Sequence, residues 1–141
     1  MLLVKTKLSP SKINGIGLFA DQFIPKGMIT WIGIPQFDVR FSLHDLEILS
    51  KPARETFIKH SFLSKRSGLY VLCFDDARFF NHSFEPNIGD ADSPESEEGV
   101  DFALRDIYPC EELTCDYRAF DAHFTGFSSC APSSTQEVSI R

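Results

Sequence analysis

The sequence predicts one domain that is mainly β, with a small helical insert near the middle of the chain. Two observations support this fold class. The 141 residues are 43% hydrophobic and include 14 Phe, and a chain of this length buries about two thirds of its unfolded surface in one core. Short apolar runs separated by Gly, Pro, Ser and Asp follow one another along the chain, which is typical of strands joined by turns.

The first 33 residues predict three strands separated by turns. Leu2–Leu8 has the composition and the loose alternation of a strand, and Ser9–Lys12 is the turn after it. Ile13–Ala20 (INGIGLFA) begins as a glycine-rich bend and continues as a short strand. Met28–Gly33 (MITWIG) is the third strand, and the turn Pro25–Gly27 precedes it.

Residues 42–64 predict the helical insert. Ser42 can cap a short helix, because its hydroxyl can accept a bond from the backbone of the first turn and Asp45 follows three residues later. Ser50 precedes a second helix, Pro52–His60. Proline is favoured in a first helical turn because it has no N–H to satisfy there.

After the insert the pattern returns to strands. Leu69–Phe74 (LYVLCF) is a continuous apolar run, which is the pattern of a buried strand. Val100–Arg105 alternates apolar and polar residues, and Glu112–Cys115 is a last short strand. Residues 1–127 are therefore predicted to form the domain, and the polar, serine-rich residues 128–141 to form a loose tail.

The segment Gly89–Asp101 contains six acids and no base. The chain has 14 Lys+Arg against 20 Asp+Glu, so without these six acids the charges would balance and the segment carries the whole net charge of −6. We predict a solvated hairpin loop, and the alternative is a patch that attracts a basic substrate. The six acids are Asp90, Asp92, Glu95, Glu97, Glu98 and Asp101.

Composition and charge also bear on partners and location. The excess of acids argues against direct nucleic-acid binding, which needs clustered basic residues. No run approaches the roughly 18 apolar residues of a membrane helix, so we expect no membrane partner, and we expect a monomer or a homodimer. Lys5 and Lys7 interrupt the first apolar run, so no signal peptide is predicted. We expect the cytoplasm, or the nucleus or a host cell if the source is a eukaryote, a virus or a pathogen.

The four cysteines do not predict a metal site. Cys73, Cys110, Cys115 and Cys130 form no CxxC or CxC pair, whereas a zinc site needs three or four ligands with close pairing. We therefore expect no metal.

Three motifs contain glycines or polar residues whose placement suggests either a structural or a functional role. Gly15-Ile16-Gly17 lacks the third glycine of a dinucleotide site and alone predicts only a tight bend. Arg78–Asn87 (RFFNHSFEPN) places polar residues between two apolar strands, so these side chains should be hydrogen-bonded. A nucleophilic Cys–His pair with Cys73 or Cys115 is an alternative that the spacing does not support. Ile107–Tyr117 (IYPCEELTCDY) alone predicts a turn and an edge strand.

The order and spacing of these three motifs resemble the SET-domain family of protein-lysine methyltransferases. The resemblance covers residues 5–121, and the chain looks like the short, stand-alone form found in bacteria and viruses. It implies a β-clip fold of short, curved sheets in which residues 42–64 are a variable insert. It also implies a C-terminal pseudoknot that brings Asn81 and His82 beside Glu112–Tyr117.

The resemblance implies S-adenosyl-L-methionine as the cofactor and S-adenosyl-L-homocysteine as its product. Backbone groups would bind the methionine part and the adenine edge, two polar side chains would bind the charged ends, and Phe120, rather than Phe124 or Phe127, would stack on adenine. The residues implied are the backbone of Gly15, Ile16, Gly17 and His82, the side chains of Arg78 and Asn81, and the rings of Tyr117 and Phe120.

For the substrate, the resemblance implies a basic protein, a histone or a histone-like one, that inserts a lysine into a narrow channel. Tyr117 and Tyr70 would be catalytic, with Tyr117 at the point of methyl transfer. Trp31, Tyr70 and Cys115 would line the channel, and Cys110 stands where the family usually has glycine. A catalytically inactive SET-fold protein-binding module is the alternative function, although the motifs are intact.

Overall fold

The structure, a computed structural model, describes residues 1–124. The predicted boundary at residue 127, the tail 128–141, Phe127 and Cys130 lie outside the described residues. Within residues 1–124, ten strands form sheets of two, five and three strands, together with two α-helices and two 3₁₀ turns. The mainly β prediction is therefore confirmed.

The strands are short, from two to eight residues. They are β1 (Thr6–Pro10), β2 (Ile16–Ala20), β3 (Ile29–Ile32), β4 (Val39–Phe41), β5 (Phe62–Leu63), β6 (Tyr70–Leu72), β7 (Asn81–His82), β8 (Ile88–Ser93), β9 (Ser96–Ala103) and β10 (Thr114–Cys115). The helices are α1 (Leu43–Leu46) and α2 (Lys51–His60), and the 3₁₀ turns are Asp76–Phe79 and Tyr117–Ala119.

The helical insert forms where the capping residues predict it. The Asp45 backbone N–H donates to Ser42 Oγ at 3.1 Å, and the Ser42 N–H donates to Asp45 Oδ2 at 2.7 Å, which together make a capping box. At the start of α2, Ser50 Oγ accepts from the Ala53 N–H at 3.4 Å. The insert ends earlier than predicted, because residues 62–63 form β5 and pair with β6.

The first strand is displaced from its predicted position. The sequence predicts a strand over Leu2–Leu8, whereas β1 begins at Thr6 and ends at Pro10. Its antiparallel partner β2 begins at Ile16, opposite Pro10, so the hairpin register moves the strand towards the glycine bend. Leu2 forms only an isolated bridge with Trp31.

The five-stranded sheet has the order β3-β9-β8-β10-β7. Its last strand in sequence, β10, therefore lies between β7 and β8 and runs parallel to both. Thr114 is paired with Asn81, and Cys115 with His82 on one side and Ile88 on the other. This pairing brings together the two motifs that the pseudoknot prediction places side by side.

The acidic segment is not a solvated loop. It forms most of the antiparallel strands β8 and β9, and Glu98 and Asp101 are buried. The hairpin is as predicted, but the prediction of a solvated loop is wrong, because two arginines from distant segments pair with four of the acids. Arg66 binds Asp90 and Asp92, and Arg40 binds Glu97 and Glu98.

Two hydrophobic clusters hold the sheets together. The larger cluster lies under the five-stranded sheet and includes Leu18, Ile24, Ile88 and Leu113, all of which are almost completely buried. A smaller cluster packs α1 and α2 on the three-stranded sheet β4-β6-β5. In the described part of the chain, no helix is long and apolar enough to cross a bilayer.

Candidate active site

A cavity of about 110 Å³ lies on one face of the five-stranded sheet. Residues from β3, β8, β9 and β10 line one part of it, and the end of α2 and the two 3₁₀ turns line the rest. Among the predicted site residues, those that line the cavity are Trp31, Arg78, Cys115, Tyr117 and Phe120.

A row of three side chains crosses the sheet beneath this cavity. Asp101 on β9 is paired with Trp31 on β3 and with Asp90 on β8. Directly opposite residues point to the same face of a sheet, with Cβ atoms about 4.5–5.5 Å apart. All three side chains line the cavity, so one wall of it carries the indole of Trp31 and two carboxyl groups in a row.

Four carboxyl side chains line the cavity, and three of them have partners. Asp90 accepts two bonds from Arg66, at 3.0 and 2.7 Å. Glu98 accepts from Arg40 at 3.0 Å and from the Ser64 hydroxyl. The carboxylate of Asp121 accepts from the backbone N–H of Leu63 at 3.3 Å and of His123 at 2.9 Å.

The fourth carboxyl, that of Asp101, has no hydrogen-bond or ion-pair partner among residues 1–124. Its residue is 9% exposed. Burial, followed by the charge of Asp90, raises the pKa of Asp101 to about 8. The charges of Arg66 and of the N-terminal ammonium oppose this shift.

Tyr117 stands where the last strand leaves the sheet. Its hydroxyl donates to the Phe80 carbonyl, and its backbone N–H donates to His82 Nδ1 at 3.1 Å. Burial is the main reason why the pKa of Tyr117 lies well above its usual range. The phenol is therefore a neutral O–H donor at physiological pH, fixed at the cavity by its contact with Phe80.

Cys115 and Cys73 form an apolar part of the lining. Both are buried free thiols, and burial is the main cause that raises the pKa of each. A thiol nucleophile needs a lowered pKa, so the geometry gives no support to a nucleophilic Cys–His pair.

Three basic side chains also line the cavity. Lys59 and His60 end α2, and Arg78 lies on the first 3₁₀ turn. The pKa of His60 is lowered, first by burial and then by the charges of Lys59 and Arg78. The guanidinium of Arg78 lies 5.3 Å from the centre of the Phe79 ring and has no carboxylate partner in the described chain.

Aromatic rings close the side of the cavity next to Tyr117. Phe120 lines the cavity and packs edge-on against Phe62, with ring centres 5.0 Å apart. Phe124 instead packs on His82, at 4.5 Å between ring centres, and on Tyr117 at 5.5 Å. The geometry is compatible with the choice of Phe120 for adenine stacking, and that choice stays a prediction.

Asn81 and the glycine bend, residues 14–17, form a second part of the site beside the cavity. The Asn81 amide donates to the Asn14 carbonyl at 3.1 Å, to the Ile16 carbonyl at 3.4 Å and to Glu112 Oε1 at 2.9 Å. Both of its N–H groups are thus used within the protein. Asn81 holds the bend in position, and its predicted contact with the cofactor would have to use the side-chain oxygen.

The two glycines of the bend are required for different reasons. Gly15 has φ +48°, in the left-handed region that favours glycine. At Gly17, a Cβ atom would lie 2.2 Å from Glu112 Oε1. The motif therefore has a structural explanation within the chain at both positions, whether or not Ile16 and its neighbours contact a ligand.

Tyr70 is not brought to the cavity. Its ring packs with Leu46 and Phe57 in the smaller cluster, and its hydroxyl lies 2.7 Å from His123 Nε2. The reason is topological, because β6 belongs to the three-stranded sheet. The catalytic and channel roles predicted for Tyr70 find no support in this placement.

Sequence reasoning missed two residues of the site. The sequence predicts only an edge strand at Glu112, and nothing local signals that its carboxylate accepts from Ser11 Oγ at 2.8 Å and binds Asn81. For Asp101 the sequence predicts only a place in the acidic loop. The signal that could have separated it is its position two residues before Ala103, on a strand where those two residues share the buried face.

The residues present fit S-adenosyl-L-methionine. This molecule has an anionic carboxylate, an aromatic base and a positively charged sulfur. The cavity offers an exposed guanidinium without a carboxylate partner at Arg78, an aromatic ring at Phe120 and carboxylates on the sheet.

Within residues 1–124, no group of three or more His, Cys, Asp or Glu could hold a metal ion.

Comparisons with known proteins agree on one family. A family model described as the SET domain matches residues 15–118. The histone-lysine N-methyltransferase TRX1 of Oryza sativa subsp. japonica is 33% identical over 147 residues, which cover 85% of this chain and 13% of that protein. The chain thus spans a small part of the length of this curated relative.

Two solved structures share the fold. A candidate histone methyltransferase of Plasmodium falciparum superposes with a TM-score of 0.56 at 18% identity, covering 82% of this chain and 95% of that one. The Neurospora SET domain protein DIM-5, a histone lysine methyltransferase, gives a TM-score of 0.55 at 18% identity, covering 92% of this chain and 57% of that one. At this level of identity, the likeness concerns the fold.

Proposed function

Because the chain belongs to the SET-domain family, we propose that it is a protein-lysine N-methyltransferase that takes its methyl group from S-adenosyl-L-methionine. The observation that carries the proposal is the composition of the cavity. Arg78, Phe120 and Tyr117 come from separate parts of the sequence and meet there with buried carboxylates. Such a cavity suits one ligand with an anionic end and another with a cationic amine.

The chain's own residues would bind and orient the two ligands. Arg78 would pair with the carboxylate of the methionine part, and Phe120 would stack on the adenine. The glycine bend, fixed by Asn81, would present its backbone groups. When bound, S-adenosyl-L-methionine supplies a methyl group on a positively charged sulfur.

The cavity would also prepare the target amine. A lysine ammonium has a reference pKa of about 10.4, and burial in a site of low polarity disfavours its charged form. The Tyr117 hydroxyl, held by the Phe80 carbonyl, would orient groups near the transferred methyl through weak C–H···O contacts. The buried thiols of Cys73 and Cys115 would keep that part of the channel dry.

We propose a basic protein, histone or histone-like, as the substrate. The six acids of the β8–β9 hairpin face two arginines, Arg40 and Arg66, that pair with four of them. The hairpin therefore keeps an excess of negative charge, which attracts cationic segments at low ionic strength.

Two measurements on the whole chain test this function. Calorimetry should show saturable binding of S-adenosyl-L-methionine and of S-adenosyl-L-homocysteine at one site. Transfer of a radiolabelled methyl group to a mixture of core histones and other basic proteins should then label lysine, as identified by mass spectrometry. Cofactor binding without transfer to any protein would favour the inactive binding module, and absence of both would refute the proposal.

A further inference from the structure

Asp101 and Trp31 are neighbouring buried groups that the fold leaves without partners. Asp101 lines the cavity, is 9% exposed and has no polar partner in the described chain. The Trp31 residue is 4% exposed, and its indole Nε1–H has no hydrogen-bond partner within residues 1–124. Buried polar groups in folded proteins are nearly always paired, so the unpaired carboxyl of Asp101, which lines the cavity, indicates a ligand site.

The chemistry of this position favours a cation that donates hydrogen bonds. The other three carboxyl groups of the cavity are occupied by Arg66, by Arg40 with Ser64, and by backbone N–H groups. Within residues 1–124, Asp101 is the one carboxyl of the cavity with no protein partner on either oxygen, so a ligand can bind it without competing with a bond of the protein. A primary ammonium fits, because it has three donors and no acceptor, and an aromatic neighbour such as Trp31 also favours a bound cation.

We propose that Asp101 receives the ammonium of the target lysine and takes one of its protons before methyl transfer. This inference rests on the proposed function and names the group of the chain that acts on the amine. The proton moves from nitrogen to the carboxylate, which leaves a neutral amine and a carboxylic acid. The amine lone pair then forms the N–C bond as the C–S bond breaks, with its electron pair passing to sulfur. The product is a methylated ammonium, and Asp101 later returns its proton to water.

The surroundings of Asp101 make this proton transfer feasible. Asp90 faces it from β8, Trp31 from β3, and Cys115 and Cys73 line the same cavity, while Glu98 lies on its own strand. Burial and then the charge of Asp90 raise the pKa of Asp101, and the charges of Arg66 and of the N-terminus lower it. The resulting pKa of about 8 lies nearer to that of a lysine than an exposed carboxyl does, so the proton can pass in either direction.

The first arm of the test does not depend on enzymatic activity. Protein labelled with ¹³C at the aspartate carboxyls is titrated by NMR, and the Asp101 signal is the one missing from Asp101→Asn. We expect it to titrate near pH 8, and n-butylammonium, a mimic of the lysine side chain, to lower the midpoint by at least one pH unit. A midpoint near 4 that does not respond to n-butylammonium refutes the proposal.

The second arm uses the best lysine peptide found in a peptide library. Asp101→Asn should lower kcat/KM at least tenfold at pH 8, while the affinity for S-adenosyl-L-methionine changes less than twofold. Because a free lysine becomes neutral near pH 10, the ratio of wild-type to Asp101→Asn kcat/KM should shrink at least tenfold between pH 8 and pH 10. A deficit independent of pH, or a loss confined to cofactor affinity, overturns the proton-acceptor role.

Controls separate this inference from the proposed function. Glu55→Gln removes one exposed acid from α2 that does not line the cavity and should leave kcat/KM within twofold. A wild-type protein that transfers no methyl group contradicts the proposed function, while the NMR arm still decides whether Asp101 binds an ammonium. If circular dichroism shows that Asp101→Asn does not fold, Asp101→Glu replaces it as the test variant. This change moves the carboxyl by one methylene, and it should shift both the titration midpoint of the carboxyl and kcat/KM.

Discussion

The contact between residue 17 and Glu112 can be tested by a double-mutant cycle. A Cβ atom at position 17 would lie 2.2 Å from Glu112 Oε1 and 2.9 Å from its Cδ, closer than real Cβ contacts. The carboxylate cannot move freely, because Ser11 Oγ donates to it at 2.8 and 3.0 Å and Asn81 Nδ2 at 2.9 Å. Gly17→Ala must therefore displace the carboxylate from both donors.

The size of the effect follows from these bonds. Hydrogen bonds to a charged group contribute about 1.5–3 kcal/mol each, so we expect Gly17→Ala to lower the free energy of unfolding by about 3 kcal/mol. Glu112→Ala loses the same bonds and should cost a similar amount. In the Glu112→Ala background the carboxylate is gone and a 3.1 Å approach to Ser11 Cβ remains. Gly17→Ala should then cost little, since replacing glycine stabilises by about 0.4–1 kcal/mol through the unfolded chain, which offsets that contact.

Urea unfolding of the four proteins measures the cycle. The single, buried Trp31 provides the fluorescence signal. We expect a coupling energy between the two substitutions of about 3 kcal/mol, within the range found for residues in contact. Gly15→Ala is the matched control, because its strain comes from φ +48° with no atom within 4 Å, and it should be additive with Glu112→Ala. If the costs of Gly17→Ala and Glu112→Ala were additive, the proposed contact between residue 17 and the Glu112 carboxylate would be refuted.

Three further substitutions test the site. Tyr117→Phe should keep cofactor affinity within twofold but lower kcat at least tenfold, whereas the same change at the exposed Tyr108 should have no effect; undiminished transfer would remove Tyr117 from the mechanism. Cys110→Gly should raise the free energy of unfolding by about 0.5–1 kcal/mol, because φ +74° at Cys110 is strained for any residue with a Cβ; an unchanged urea midpoint would contradict this. Cys115→Tyr should shift products towards monomethyl-lysine in mass spectra, because the larger side chain fills the channel; a wild-type enzyme that stops at one methyl group would show that Cys115 leaves no extra room.

Features with a local cause could be predicted from the sequence. The cap of α1 depends on Ser42 and Asp45, three residues apart, and the structure forms it as expected. The glycine at position 15 likewise follows from one backbone angle. These signals are contained in a few consecutive residues, so no tertiary information is needed to interpret them.

Features that depend on distant partners could not be predicted from residues alone. Alternation over Val100–Arg105 suggests that the apolar residues face inward, whereas Asp101 and Ala103 are buried and Val100 and Phe102 are only half-buried. The strand tolerates a buried acid because its face lines a cavity. The structure of the acidic segment also depends on distant partners, since Arg40 and Arg66 come from other elements. The neighbourhood of Asn81 and Glu112 came from the family resemblance, which supplied what periodicity lacks.

The position of β10 also has a consequence for the order of folding. Its partner β7 precedes it by about thirty residues, and among residues 1–124 β10 is the one strand that pairs with β7. Pairings between distant segments form slowly, because the entropy of closing the loop must be lost first. During synthesis, β7 cannot pair with β10 until Thr114 and Cys115 have emerged from the ribosome. We expect refolding to show cofactor binding only in its last phase, when this strand inserts.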